Sequence, residues 1–373
     1  MKKICFILAV ILCFGVAKTE VSSISISAQY ACVMDATTGR VIFEKNSKSN
    51  HSMASTTKIM TALLALENSK MDDLVTVSEN AAGTEGSSIY LKPKDKVSMN
   101  DLLYGLMLQS GNDAAIAIAE HVSGSVESFA NLMTKRAKEI GAKNTCFKNP
   151  NGLDEDGHFT TAYDLALITR EALKNETFAE IVSTKSRKIL DGTQTVTNHN
   201  KLLSQYEGCI GVKTGFTKKT GRCLVSAAER DRKKVIVVTL NAPNDWSDHK
   251  ILLDYAFLNT VHYPLLAKDM IVNSVTVKNG SSYSLELCAD RDFYITESPD
   301  AKFKNIKLSC KIPDYVIAPI NKGEVIGTMD IYYNNDLLET VNLISATDIS
   351  YAEPERNSLF IKYFKIFLVS SCT

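Results

Sequence analysis

Ser55-Thr56-Thr57-Lys58 sets a hydroxyl and an amine three residues apart, a spacing that puts both side chains on one face where the chain is helical. A serine hydroxyl is a poor nucleophile until a neighbouring base takes its proton. A lysine can be that base only when neutral, so its pKa must fall well below the ordinary ~10.4, which burial or a second cation achieves. A helix N-terminus also brings backbone N–H groups to a developing oxyanion. The spacing alone is cheap: Ser247-Asp248-His249-Lys250 repeats it and reads as coincidence.

Two further clusters give the first one a context. Ser110-Gly111-Asn112 offers a hydroxyl that can pass a proton and an amide that can donate to or accept from a peptide group. The plain alternative is capping between helices, and Ser78-Glu79-Asn80 shows that Ser-x-Asn also arises freely. Lys213-Thr214-Gly215 occurs once in the chain. At the end of a strand it would supply the second cation that Lys58 needs, a hydroxyl for a carboxylate, and a glycine that lets an extended substrate approach an open edge. The plain alternative there is a solvated strand end before the basic loop at Lys218-Lys219.

The elements that must position these groups are readable from periodicity. Residues 55–68 carry Ile59, Met60, Leu63, Leu64 and Leu66 at helical spacing. Apolar helices are expected over 100–109 and 113–121, separated only by Ser110-Gly111-Asn112, and further helices over 128–140, closed by Gly141, and 161–173. Residues 149–157 are dense in turn formers and read as a loop. Strands are expected at 30–33 and 40–43 and again at 209–212, 222–227 and 234–240. Helices in the middle and strands at both ends make an α+β pattern. Beyond about Tyr263 the texture changes to short alternating strands at 272–278, 284–288, 293–296, 306–310, 315–318 and 328–333, a small all-β domain.

All three clusters, in this order and on these elements, occur together in β-lactamases and penicillin-binding proteins. The chain resembles the low-molecular-mass penicillin-binding proteins that are serine-type D-alanyl-D-alanine carboxypeptidases. The resemblance spans about 28–351 and includes Leu106-Met107-Leu108-Gln109 before Ser110, Asn149-Pro150-Asn151-Gly152-Leu153, Asn198-His199-Asn200-Lys201-Leu202-Leu203, Gly211-Val212 before Lys213 and Ala318-Pro319-Ile320-Asn321-Lys322-Gly323. It implies a penicillin-binding fold, an antiparallel sheet with helices plus a helical subdomain, over 28–262, and an all-β domain over 265–350. It implies that Ser55 is acylated, Lys58 accepts the proton and Ser110 relays it. Asn112, Lys213, Thr214 and Gly215 would hold the substrate, and the backbone N–H groups of Ser55 and Phe216 would bind the oxyanion. Phe216 stands where other relatives have His, which should alter selectivity more than chemistry. Arg222 is the nominee for the arginine that some relatives place against the terminal carboxylate. The implied partners are peptidoglycan stem peptides ending in D-Ala-D-Ala and β-lactams as covalent inhibitors, with no cofactor and no metal.

Other classes fit less well. A β-lactamase needs a carboxylate to activate water, and the loop with Asp154, Glu155 and Asp156 lacks the expected Glu-x-x-x-Asn pattern. The six histidines (51, 121, 158, 199, 249 and 262) form no His-x-His or His-x-x-x-His cluster for a metallopeptidase, although His199 can support the cleft. A catalytically weak wall-binding or penicillin-sensing module would not need all three clusters, and release of free D-alanine discriminates against it. With 42 basic and 42 acidic side chains there is no electrostatic case for nucleic acid. Seven of the nine cysteines lie beyond residue 17, widely scattered; Cys209–Cys223 and Cys288–Cys310 are conceivable pairs, but buried small hydrophobes are the expected role.

The two ends carry their own signals. Lys2-Lys3, the fourteen-residue apolar run from Ile4 to Ala17 and the small residues Gly15 and Ala17 read as a secretory signal peptide over 1–17. Export would put the enzyme on the outer face of the cytoplasmic membrane. In a tail over 356–373, Phe360, Tyr363, Phe364 and Phe367 share one helical face opposite Lys362 and Lys365, as in helices that lie in a membrane surface. Truncation before Leu359 is therefore expected to move the protein from the membrane pellet to the supernatant; continued sedimentation with membranes would assign the anchor elsewhere.

Overall fold

The computed structural model describes residues 24–299, 303 and 305–352, and they divide between Val261 and His262 into two units. The expected signal peptide and amphipathic tail lie outside the described residues. The N-terminal unit is built on a five-stranded antiparallel sheet: β1 (Tyr30–Asp35), β2 (Val41–Lys45), β3 (Cys209–Thr217), β4 (Gly221–Arg230) and β5 (Lys233–Leu240), in the order β2-β1-β5-β4-β3. Both faces are covered, because alternate residues feed different cores. Cys32, Met34, Ile236 and Val238 enter the large helical core, while Ala31, Val33, Val235 and Val237 pack with Leu252, Leu253 and Ala256 of a helix over Asp245–Leu258.

The large core is surrounded by α1 (Lys58–Asn68), α2 (Met99–Leu108), α3 (Asn112–Ser123), α4 (Val126–Ile140) and α5 (Ala162–Ala172). Their starts follow from sequence. Ser98, Ser125 and Thr161 each accept a first-turn N–H, from Asp101, Ser128 and Asp164. α4 ends at Gly141 with φ 97°, the left-handed stop that glycine permits.

The second unit, among the described residues, is all β. A six-stranded sheet runs in the order Ile306–Lys311, Val325–Tyr333, Asp336–Ser345, Ser284–Ala289, Ile271–Lys278, Tyr315–Ile317, beside a ribbon of Val261–Leu266 and Phe293–Glu297. Leu285, Leu287, Ile331, Val341 and Leu343 fill its core. The strand Asp336–Ser345 was not expected from the sequence. Its signal was the tight turn Asn334-Asn335, with φ 52° and 71°, which joins it to its neighbour as an antiparallel hairpin.

Two expectations are corrected. Ser55 does not open an α-helix: Ala54–Thr57 forms a 3-10 turn, and α1 starts at Lys58. Lys213-Thr214-Gly215 does not end a strand: β3 continues to Thr217, still paired through Phe216 opposite Arg222. The cysteine pairs do not form; Cys209, Cys223, Cys288 and Cys310 are all free thiols, with Cys223 and Cys288 buried and Cys209 and Cys310 half-buried.

One buried acid ties the start of α3 to residues 88–91. Asp113, in the first turn of α3, is fully buried and accepts from the Ser88 hydroxyl at 2.6 Å and from the N–H groups of Ile89 and Leu91 at 3.1 Å. Removing it would strand several buried donors, each costing ~1–3 kcal/mol. Asp113→Ala should therefore lower the unfolding free energy by about 3 kcal/mol or more in urea melts.

Candidate active site

Lys58 is the centre of the site. Its side chain is fully buried, and its ammonium nitrogen lies 2.9 Å from Ser55 Oγ, 2.8 Å from Asn112 Oδ1 and 2.6 Å from the Asn151 carbonyl oxygen. All three oxygens can accept from it at once. Burial pushes its pKa well below the usual lysine range, the nearby Lys213 charge lowers it further, and Asp113 acts weakly in the opposite sense. Lys213 is buried as well, and burial brings its pKa down to about 7. Its ammonium donates to its own neighbour's carbonyl, Thr214 O, at 3.0 Å.

Three elements converge on Ser55. The first is its own 3-10 turn, held by Thr56 and Thr57, whose hydroxyls donate to the Met53 and Ala54 carbonyls. His158 bonds Thr57 Oγ1 through Nε2 at 2.8 Å and accepts from the Lys148 N–H at Nδ1, which fixes the proton on Nε2. Burial keeps this imidazole neutral, with a pKa of about 4.

The second element is the loop Asn149-Pro150-Asn151-Gly152. The Pro150 carbonyl accepts from Thr61 at 2.6 Å, the Asn151 carbonyl from Lys58, and Asn149 Oδ1 from the Gly152 N–H at 2.8 Å. Gly152 has φ +85°, and a Cβ there would stand 2.0 Å from the Ala54 carbonyl oxygen, so only glycine fits beneath the serine turn.

The third is β3. A Cβ on Gly215 would lie 3.1 Å from both Ser55 N and Thr56 N. The missing side chain lets the strand sit against the serine turn.

Ser110 and Asn112 reach the site through the sharp break between α2 and α3. Ser110 takes φ 64°, and the Gly111 N–H returns to the Gly105 carbonyl at 3.1 Å. Asn112 is the first residue of α3 and caps nothing; its Oδ1 faces Lys58 while Nδ2 donates to the Glu85 carbonyl at 2.7 Å. Ser110 Oγ is buried and makes no hydrogen bond to protein.

These side chains open onto a cleft of about 510 Å³ lined by Ser55, Ser110, His199, Thr214, Gly215 and Phe216, with Arg222 and Trp246 at its margin. The Phe216 side chain is 61% exposed. Arg222 is held at 3.0 Å by the buried carboxylate of Asp245, which also lines the cleft. His199 is kept towards its neutral form by burial and by the Lys213 charge.

The structure thus brings together Ser55, Lys58, Ser110, Asn112, Lys213, Thr214, Gly215 and Phe216. The Asn151 carbonyl, Asp113 and His158 were missed by sequence reasoning; the glycine-containing turn at 149–152 was the signal for the first. Two rejected readings gain a structural reason. His249, inside the second Ser-x-x-Lys tetrad, is fully buried between the Ser226 and Thr239 hydroxyls, with a pKa of about 3. Asp154, in the acidic loop, accepts from Thr217 and Thr220 at 2.9 and 3.0 Å.

Residues 17–244 match the D-alanyl-D-alanine carboxypeptidase family, peptidase S11, and residues 262–351 match the C-terminal domain of penicillin-binding protein 5. The chain is 35% identical over 342 residues to D-alanyl-D-alanine carboxypeptidase DacF of Bacillus subtilis, covering 89% of this chain and 88% of that protein. It is also 35% identical over 344 residues to DacC of Escherichia coli, covering 88% and 86%. The crystal structure of penicillin-binding protein 5 from Haemophilus influenzae superposes with a TM-score of 0.65 at 29% identity, covering 89% of this chain and all of that one. The chain belongs to the D-alanyl-D-alanine carboxypeptidase family, whose members are serine hydrolases.

The buried lysines make stability depend on pH. Between about 7 and 10.5 an unfolded Lys213 holds a proton that the folded one does not, so unfolding takes up a proton and stability rises with pH by about 1.4 kcal/mol per unit. Lys58 shifts in the same direction. Urea melts across this range should give a rising wild-type unfolding free energy and a flatter profile for Lys213→Met.

Proposed function

We propose that this chain removes the terminal D-alanine from peptidoglycan stem pentapeptides, with Ser55 as nucleophile and Lys58 as its base. The observation that carries the assignment is the fully buried Lys58 ammonium, 2.9 Å from Ser55 Oγ and depressed in pKa by burial and Lys213. A neutral Lys58 takes the Ser55 proton as Oγ attacks the carbonyl between the two D-alanines. The oxyanion forms against the N–H groups of Ser55 and Phe216, which the close packing at Gly215 favours.

Lys58 passes its proton through Ser110 to the departing amine. Ser110 is suited to this because its buried hydroxyl has no partner of its own. Asn112 and β3 hold the peptide in extended form, and Lys213 and Thr214 bind its terminal carboxylate. Water then hydrolyses the Ser55 ester with Lys58 again as base. Trimming the pentapeptide removes the donor group that cross-linking requires, and β-lactams, as mimics of the D-Ala-D-Ala end, acylate Ser55 and remain. The reaction belongs outside the cytoplasm, where the substrate is, and the tail over 356–373 is the proposed contact with the membrane surface.

Fluorescent penicillin labelling and a D-alanine release assay test the scheme. Ser55→Ala should lose both signals, and Lys58→Ala should slow acylation by roughly 10²–10⁴-fold, the usual contribution of a general base. Persistent labelling of Ser55→Ala would sink the nucleophile assignment, and an unchanged rate in Lys58→Ala would sink the base.

A further inference from the structure

A second pocket, of about 250 Å³, lies in the N-terminal unit. Lys185, Asn200, Lys201 and Ser204 supply its polar wall, and no carboxylate side chain lines it. Lys250 donates to Gln205 at its margin, at 3.4 Å, and adds a third cation. Neither Lys185 nor Lys201 has an ion-pair partner among the described residues. The pocket shares Asn198 and Lys201 with the cleft, but none of the residues proposed for the chemistry. Surface lysines alone would not make a site; two further observations do.

The walls are tied together by one side chain. Asn198 donates through Nδ2 to the Val182 and Thr184 carbonyls at 3.2 and 3.1 Å, and its Oδ1 accepts from the Asn200 N–H at 2.9 Å. Its own N–H reaches the Lys185 carbonyl at 2.9 Å. A single residue thus fixes the backbone on the Lys185 side and on the Asn200 side, and the pocket is organised before any ligand enters.

The second observation is Asn200 itself, only 2% exposed and part of the pocket wall. Its Oδ1 accepts from the Leu202 N–H at 3.1 Å, but Nδ2 makes no hydrogen bond to oxygen or nitrogen. The Cys209 thiol beside it is a weak acceptor at best. A buried donor without an acceptor is costly, and an oxygen of a bound anion would satisfy it.

Charge and donor number select the anion. A carboxylate brings one charge and two oxygens, and would leave one of the two lysines uncompensated. A phosphate group with a free end carries about −1.5 to −2 charges near pH 7 and at least three strong acceptor oxygens. That matches two ammonium groups, the Asn200 amide and the Ser204 hydroxyl. Lys201 and Ser204 are exposed, so the phosphate can also be the end of a larger molecule that continues into solvent.

We propose that this pocket binds a dianionic phosphate, free or as a monoester, at a place separate from the site of Ser55 acylation. The inference stands on the pocket and is independent of the carboxypeptidase reading above.

The test is isothermal titration of the full chain at constant ionic strength, at about pH 7.5, where the phosphate is dianionic. The probes are inorganic phosphate, glycerol 1-phosphate and dimethyl phosphate, each before and after penicillin acylation. The two dianions should bind at millimolar concentration or below, and dimethyl phosphate, with one charge, about tenfold more weakly. Acylation fills the cleft and should leave these affinities unchanged. Whichever dianion binds tighter identifies the source as the free ion or the end of a larger molecule. Lys185→Met should raise the dissociation constant about fivefold or more, the scale of one partly exposed charge. Lys185→Arg should restore it, and neither variant should change the rate of penicillin acylation. Asn200→Asp keeps the acceptor for the Leu202 N–H but removes the buried donor, and should weaken binding about tenfold or more. No binding up to about 50 mM, where a millimolar site is saturated, would overturn the site. So would equal binding of dimethyl phosphate, loss of binding on acylation, or an unchanged affinity in Lys185→Met or Asn200→Asp.

Discussion

Two ammonium groups share one dry interior, and much of the catalytic unit is arranged around that conflict. An isolated buried charge is unfavourable by far more than any surface ion pair can return. Here no carboxylate is in hydrogen-bond contact with Lys58; its three partners are a hydroxyl, an amide oxygen and a peptide carbonyl. Such neutral acceptors hold an amine in place without fixing a proton on it. A carboxylate at the same distance would have raised its pKa instead. The charge of Lys213, which lowers the Lys58 pKa, is likewise weakened by burial.

The supporting structure follows from the need to bring these acceptors in from different parts of the chain. Asn112 comes from the break between α2 and α3, the Asn151 carbonyl from a loop, and Ser55 from a 3-10 turn. None of the three sits in the middle of a regular element, where its backbone would be committed to a ladder. Two glycines make the convergence possible. Gly152 fits beneath the Ala54 carbonyl, where any side chain would collide, and Gly215 packs tightly against the Ser55 and Thr56 nitrogens.

Much of this was legible in the sequence, for identifiable reasons. The helices announced themselves through apolar spacing and through Ser98, Ser125 and Thr161 at their starts. The side chains proposed for the chemistry were visible as three short clusters because each has to present a particular functional group. What escaped was backbone chemistry. A carbonyl such as that of Asn151 has no signature of its own, and only the Asn-Pro-Asn-Gly turn hinted that the chain there was bent for a purpose. The extent of β3 was underestimated because Thr214, Gly215 and Thr217 break the apolar run, although the pairing with β4 continues past them. The last long strand was missed because its first half, from Asp336 to Thr340, is exposed or half-buried and carries little alternation.

Asn112 and Asp113 are consecutive, yet they fasten different things. Asn112 reaches Lys58 on one side and the Glu85 carbonyl on the other, while Asp113 grips Ser88, Ile89 and Leu91. The segment from 85 to 91 is thus attached to the same peptide unit that holds Lys58. It ends near Tyr90, whose ring is 78% exposed. Two neighbouring residues at the start of α3 therefore join the segment below Tyr90 to the amide that accepts from Lys58. A change of shape at either residue would be felt by both, so this one peptide unit has to be kept rigid for Lys58 to keep its amide partner.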